Sequence, residues 1–117
     1  NNPQITFSFY SNVDDILPSL MNINIYRVIQ EATLNIIEYA KATAAEVKLI
    51  REGEQLILTI QDNGIGFNVK EVKQYGLGLK YMEERMNQID GHFNITSVEG
   101  KGTFIKATIS KGETLND

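Results

Sequence analysis

An α+β two-layer sandwich, with a mixed but mostly antiparallel sheet and helices on one face, is predicted by three observations. The apolar pattern switches between a period of two and a period near 3.6 in the order strand, helix, two strands, loop, helix, two strands. Gly53 marks a turn inside the first strand pair, and Glu99-Gly100-Lys101-Gly102 a turn inside the second, as hairpins require. The strict strand–helix alternation of a parallel doubly wound sheet is missing. At 117 residues the chain makes one domain, 1–117, large enough for a core of its own and too short for two.

Each element has its own signature. Ile5, Phe7 and Phe9 alternate with Thr6 and Ser8, which predicts a half-buried strand from Ile5 to Tyr10. Asn12 to Met21 reads as a connector with room for a short helical turn before Pro18. Asn22 or Asn24 would then cap a helix running to Lys41. In it Ile25, Val28, Ile29, Ala32, Ile36, Ile37 and Ala40 gather on one arc at about 100° per residue. Ala45 to Arg51 and Gln55 to Asp62 are strands, and the polar, weakly periodic stretch after Gly64 is a loop. Leu77 to Ile89 is helical, with Leu79, Met82, Met86 and Ile89 on one face and Gly91 closing it. Phe93 to Val98 and Thr103 to Ile109 complete the strands, and a frayed tail is expected over 111–117.

Composition narrows the function classes. Hydrophobic residues at 42% and charged ones at 22% are ordinary for a globular domain. A net charge of −4 argues against a general nucleic-acid surface. Without cysteine there is no disulfide, thiolate metal site or cysteine nucleophile. No apolar run approaches the roughly 20 residues that span a bilayer, and no secretory leader is visible, so the expected setting is cytoplasmic. From the abrupt start at Asn1-Asn2-Pro3 an excised domain is expected.

Three polar clusters carry the chemistry. Glu31 and Asn35 lie four apart on the helix, at the border of its apolar arc, so both project from one side toward a cleft. Asn35 offers one neutral carbonyl oxygen, and Mg²⁺ needs few protein ligands where phosphate oxygens and waters supply the rest. Glu31 is placed to orient or deprotonate a water or hydroxyl near that ion. Asp62 ends a strand beside Gly64 and Gly66; a carboxylate there accepts from the exocyclic amine of adenine and repels the carbonyl of guanine. Gly76 and Gly78 lead into a helix whose N-terminal amides suit phosphates. Lys70, Lys73, Lys80 and Lys101 are candidate phosphate neighbours, and the lone histidine, His92, sits at a strand start. Taken singly, each cluster reads more readily as a helix flank, a turn or a helix lead-in; neither glycine pair completes a Rossmann or P-loop fingerprint. Together they describe an ATP site.

In this order the motifs resemble those of the ATP-binding catalytic domain of sensor histidine kinases, in the GHKL superfamily with its Bergerat fold. Gln30 to Ala40 is similar to the N box, Asp62-Asn63-Gly64-Ile65-Gly66-Phe67 to the G1 box, Gly76-Leu77-Gly78-Leu79 to the G2 box, and Gly100-Lys101-Gly102-Thr103 to the last glycine–threonine motif. The resemblance runs from Ile5 to Ile109. It implies that Asn35 ligates Mg²⁺, that Asp62 binds the adenine amino group, and that Gly64 and Gly66 shape the adenine pocket. It further implies that Gly76, Leu77, Gly78 and Leu79 meet the phosphates at the hinge of a lid spanning about 64–76, and that Thr103 supports the adenine–Asp62 water network. Glu31 takes the place of an activating acid. The short lid and Met82-Glu83-Glu84-Arg85-Met86 resemble the short-lid subfamily related to nitrate and membrane-fluidity sensors. Two positions depart from the pattern: Glu38 stands where a basic residue is common, and Tyr39 where that subfamily often has histidine.

The implied cofactors are ATP and Mg²⁺. The implied partners are a phosphoacceptor helical domain of the same parent protein, which would also make that parent a homodimer, and a response regulator; no direct nucleic-acid contact is implied. The fragment alone is expected to be monomeric and unable to label itself, with a parent of the kind often anchored in a membrane. Two alternatives share the boxes. An anti-sigma-factor serine kinase is disfavoured by the short lid and the Met82–Arg85 run, and a degenerate nucleotide-sensing module is favoured by Glu38 alone.

Overall fold

A computed structural model describes residues 4–68 and 76–110. The elements are β1 (Thr6–Ser11), α1 (Ser19–Asn35) continuing into a π-helical turn (Ile36–Ala40), β2 (Ala44–Glu52), β3 (Gln55–Asp62), α2 (Gly76–Asn87), β4 (His92–Val98) and β5 (Gly102–Ser110). They form one five-stranded sheet in the order β1-β2-β3-β5-β4. Only the β1–β2 pair is parallel, and the other three pairs are antiparallel. The predicted mixed sheet is therefore the one found. Most of the expected lid and all of the expected tail lie outside the described residues.

Strand alternation decides what each face holds. Leu56, Leu58 and Ile60 are buried on β3, and Ile105, Ala107 and Ile109 on β5. They pack with Met21, Ile25, Val28, Ala32 and Ile36 of α1 and with Met82, Met86 and Ile89 from α2 and its turn. Hydrophobic burial on this single face is the main stabilising term. The register then carries the same parity to the sheet's end. Ala45 pairs with Asp62, Asp62 with Thr103, and Thr103 with Ser97, so one row crosses four strands.

Several expectations need correction. β1 is exposed along its whole length, with Phe7 at 42% and Phe9 at 65%. Those two pair with buried Ala45 and Val47 and so share the core side, but β1 is the sheet edge and the helical layer does not reach over it. No helical turn precedes Pro18. Instead α1 starts at Ser19 with no side-chain cap, and the Asn22 N–H donates to Pro18 O. Starting a turn earlier buries Met21; Asn24, expected as a cap, is instead fully buried, its Nδ2 donating to Leu20 O at 2.8 Å and its Oδ1 accepting from Arg85 at 3.4 Å.

The far end of that helix also differs from a regular one. The π turn keeps Ile36 and Ala40 in the core while Ile37, expected on the apolar arc, is 51% exposed. Lys41, in a left-handed conformation, ends it. At the end of α2 it is Asp90 rather than Gly91 that turns left-handed, and the Gly91 N–H donates back to Met86 O.

Candidate functional site

A cleft opens between the helices and the end of the sheet. Ala32, Asn35, Ile36 and Ala40 line it from α1 and its π turn, Leu79 and Met82 from α2, and Ile60, Ile95 and Ile105 from the sheet. Asp62, Gly66, Phe67 and Thr103 close its inner end. The walls are mostly apolar with a few convergent polar groups, the usual make-up of a small-molecule site.

Asp62 is the polar anchor. Parity with Leu56, Leu58 and Ile60 turns its side chain toward the helices, where it is only 6% exposed. Its Oδ1 accepts from the Gly64 N–H at 2.8 Å, an Asx turn written by the Asp-Asn-Gly sequence. Burial pushes the carboxyl above its ordinary value of 3.8, against the downward pull of the Gly64 and Thr103 backbone N–H groups. A buried carboxylate held by backbone donors still has lone pairs to offer a ligand N–H.

The glycines around it are there for close approach. A Cβ on Gly64 would lie 2.1 Å from Ala40 O, and the next residue, Ile65, donates its N–H to the same carbonyl at 2.7 Å. The π turn is thus what receives the loop. Gly66 has φ +65 and packs so closely on the β4 end that a Cβ would lie 2.2 Å from Val98 O.

On the helix side, Glu31 and Asn35 converge on Gly78. A Cβ placed on that glycine would sit 2.8 Å from Glu31 Oε2 and 3.3 Å from Asn35 Nδ2. Gly76, Leu77, Gly78 and Leu79 form the first turn of α2, the helix end whose backbone N–H groups favour anions. Asn35 and Leu79 reach the cleft, whereas Glu31 stands behind it at the helix seam and does not line it.

Other candidates separate from the site. Lys80 and Lys101 are exposed and do not line the cleft, and Lys70 and Lys73 lie outside the described residues. Glu38 and Tyr39 are exposed on the π turn and likewise do not line it. His92 is exposed at the start of β4, an edge strand. Among the described residues no three His, Cys, Asp or Glu side chains cluster as a metal site. Asn35, a neutral amide lining the cleft beside the α2 N-terminus, could offer one oxygen to a cation whose other oxygens came from a phosphate chain and water.

Two side chains that hold the site in shape were given no role of their own by the motif reading. Asn63 clamps the site loop to the start of β2: its Oδ1 accepts from the N–H groups of Thr43 at 2.9 Å and Ala44 at 3.0 Å, and its Nδ2 donates to Thr43 Oγ1 at 2.9 Å. Ser97 bonds Phe67, Gly102 and Thr103 from below the cleft. The alternation Phe93, Ile95, Ser97 was a usable signal for the second; nothing local marked the first, whose partners lie about 20 residues away.

Comparison with known proteins agrees with this geometry. A family model described as "Histidine kinase-, DNA gyrase B-, and HSP90-like ATPase" matches residues 22–113. The chain is 37% identical over 103 residues to the sensor protein VraS of Staphylococcus aureus, covering 86% of this chain and 30% of that protein. It is 38% identical over 99 residues to the sensor histidine kinase LiaS of Bacillus subtilis, covering 80% of this chain and 28% of that one. The chain therefore spans under a third of these relatives. Among solved structures, the blue-light activated histidine kinase of Erythrobacter litoralis superposes with a TM-score of 0.76 at 21% identity, over 94% of this chain and 36% of that one. The catalytic domain of the histidine kinase ThkA gives a TM-score of 0.71 at 16% identity, over 92% and 80%. At such identities these two speak for the fold.

Proposed function

This chain belongs to the histidine kinase-, DNA gyrase B- and HSP90-like ATPase family as a histidine-kinase ATP-binding domain, and we propose how its residues hold the nucleotide and serve the parent kinase. Residues 1–117 act as one module. Asp62 accepts from the adenine exocyclic amine, with Thr103 beside it and Gly64 and Gly66 letting the backbone approach the ring. Leu79, Ile60, Ile95 and Ile105 exclude water from its faces. The first turn of α2, from Gly76 to Leu79, directs its N–H groups at the phosphates. Glu31, at the seam behind Asn35, orients the group that meets the γ-phosphate. Asn35 would hold Mg²⁺ through its side-chain oxygen, and the bound ion would supply charge neutralisation to the phosphates. Positioning and charge stabilisation of this kind account for most of phosphoryl-transfer catalysis.

The phosphoacceptor is a histidine on a helical domain of the parent outside this chain, for relay to a response regulator. His92, on an edge strand, has neither a helical setting nor access to the cleft. The parent is a homodimer through that helical domain, the isolated chain a monomer on the cytoplasmic side. No helix among the described residues is long and apolar enough to cross a membrane.

The single observation carrying this reading is Asp62, a buried carboxylate aimed into an apolar cleft. Calorimetry with ATP and GTP tests it. The chain is expected to bind ATP well above GTP, because the guanine carbonyl faces a carboxylate; equal affinities would sink the assignment.

A further inference from the structure

Ser97 ends the row that carries Asp62 and Thr103, one strand further out on β4, and does not line the cleft. Its hydrogen-bond accounts are nonetheless full. A hydroxyl has one hydrogen and two lone pairs. The hydrogen goes to Gly102 O at 3.1 Å, and the Phe67 N–H takes one lone pair at 2.9 Å. The contact to Thr103 Oγ1 at 2.8 Å therefore uses the second lone pair, and its hydrogen comes from Thr103.

With its hydrogen committed to Ser97, Thr103 Oγ1 has only lone pairs left for a ligand. Asp62, its neighbour in the register, is likewise an acceptor. Among the described residues the inner end of the cleft thus presents two acceptors and no hydroxyl donor, which matches a purine edge bearing an amine, or a water relaying one of its hydrogens, and opposes a 6-carbonyl. The same hydroxyl fixes Phe67, so base selection and the start of the loop leaving the site share one anchor.

We propose that Ser97 is a specificity-determining positioning residue: by fixing the Thr103 hydroxyl as an acceptor, it makes the cleft select 6-amino over 6-oxo purine nucleotides. This rests on the nucleotide-site reading above.

The test uses the 117-residue chain and two nucleotides differing only at that position, ATP and ITP. Ser97→Ala releases the Thr103 hydroxyl to rotate and donate to a 6-carbonyl. One hydrogen bond gained or lost on each side should cut the ATP-over-ITP affinity ratio by about tenfold. Ser97→Thr, which keeps a hydroxyl at the same atom, should restore the ratio. A destabilised but correctly wired site would weaken both nucleotides equally and leave the ratio intact, so an unchanged ratio in Ser97→Ala overturns the inference. A readout on the unmodified chain covers a variant that fails to fold: the Thr103 hydroxyl proton should exchange slowly and show a nuclear Overhauser contact to the Ser97 β-protons. A freely exchanging hydroxyl overturns the inference while leaving the ATP site standing. Failure of the unmodified chain to bind ATP at all overturns the site reading and this inference with it.

Discussion

At the sheet end of the cleft, Asp62, Ser97 and Thr103 are tied to backbone groups and to one another at 2.8–3.1 Å. At the helix end, Glu31 and Asn35 meet Gly78 without a side-chain hydrogen bond of their own among the described residues. One wall is built before any ligand arrives, since each polar atom is held by strand register and by a turn. The other is a seam between two helices where flexible side chains keep their polar atoms free. The first suits selection of a base, which needs fixed acceptors. The second suits a phosphate chain and a cation, which bring their own oxygens and complete the coordination themselves.

Substitutions should separate the walls. Asp62→Ala carries the largest effect: removing one partner of a charged hydrogen bond costs about 1.5–3 kcal/mol, a loss of roughly ten- to a hundredfold in ATP affinity by calorimetry. An unchanged affinity would mean that the fixed wall does not touch the base. Stability comes next. In Gly64→Ala the new methyl meets the Ala40 carbonyl, part of a helical backbone, whereas in Gly78→Ala it meets the tip of the Glu31 side chain, which can turn away. Thermal melting should show a loss of about 2–3 kcal/mol for the first and under about 0.5 kcal/mol for the second. Similar losses for both would erase the contrast between rigid and adaptable walls.

Asn35→Ala should act on metal dependence alone. ATP affinity with Mg²⁺ is expected to fall severalfold, affinity without it to stay, and the melting temperature to hold, because the Asn35 side chain supports no hydrogen bond among the described residues. A loss equal with and without Mg²⁺ would remove Asn35 from the cation's oxygens. The smallest effect concerns pH. The folded state raises the Asp62 carboxyl above its ordinary 3.8, so it holds that proton more tightly than the unfolded chain does. The resulting stabilisation is fully present below pH 3.8 and lost as pH rises through the raised value. Asp62→Asn should flatten this part of the stability curve and melt slightly higher than the unmodified chain at neutral pH, while binding ATP worse. A lower melting temperature for the variant would show that the carboxylate stabilises the empty site.

The sequence by itself determined the layers, the element order and the facing of those candidate site residues that sit on regular periodicities. Period-two alternation marks Leu56, Leu58, Ile60 and then Asp62 as one face, and four-residue spacing puts Glu31 with Asn35. These are local facts, because side-chain direction repeats with the backbone. Tertiary structure alone decided what non-local packing controls. It left Phe7 and Phe9 uncovered, since a strand's pattern does not say whether the helical layer reaches the sheet edge. It opened the π turn after Asn35, where the Ala40 carbonyl serves Ile65, a residue of a distant loop. It started α1 at Ser19, because burial of Met21 outweighed the lack of a cap. It joined Asn63 to Thr43, and Ser97 to Phe67, through pairs 20 and 30 residues apart. No window of sequence contains both partners of such a bond; only the folded register brings them within reach of a hydrogen.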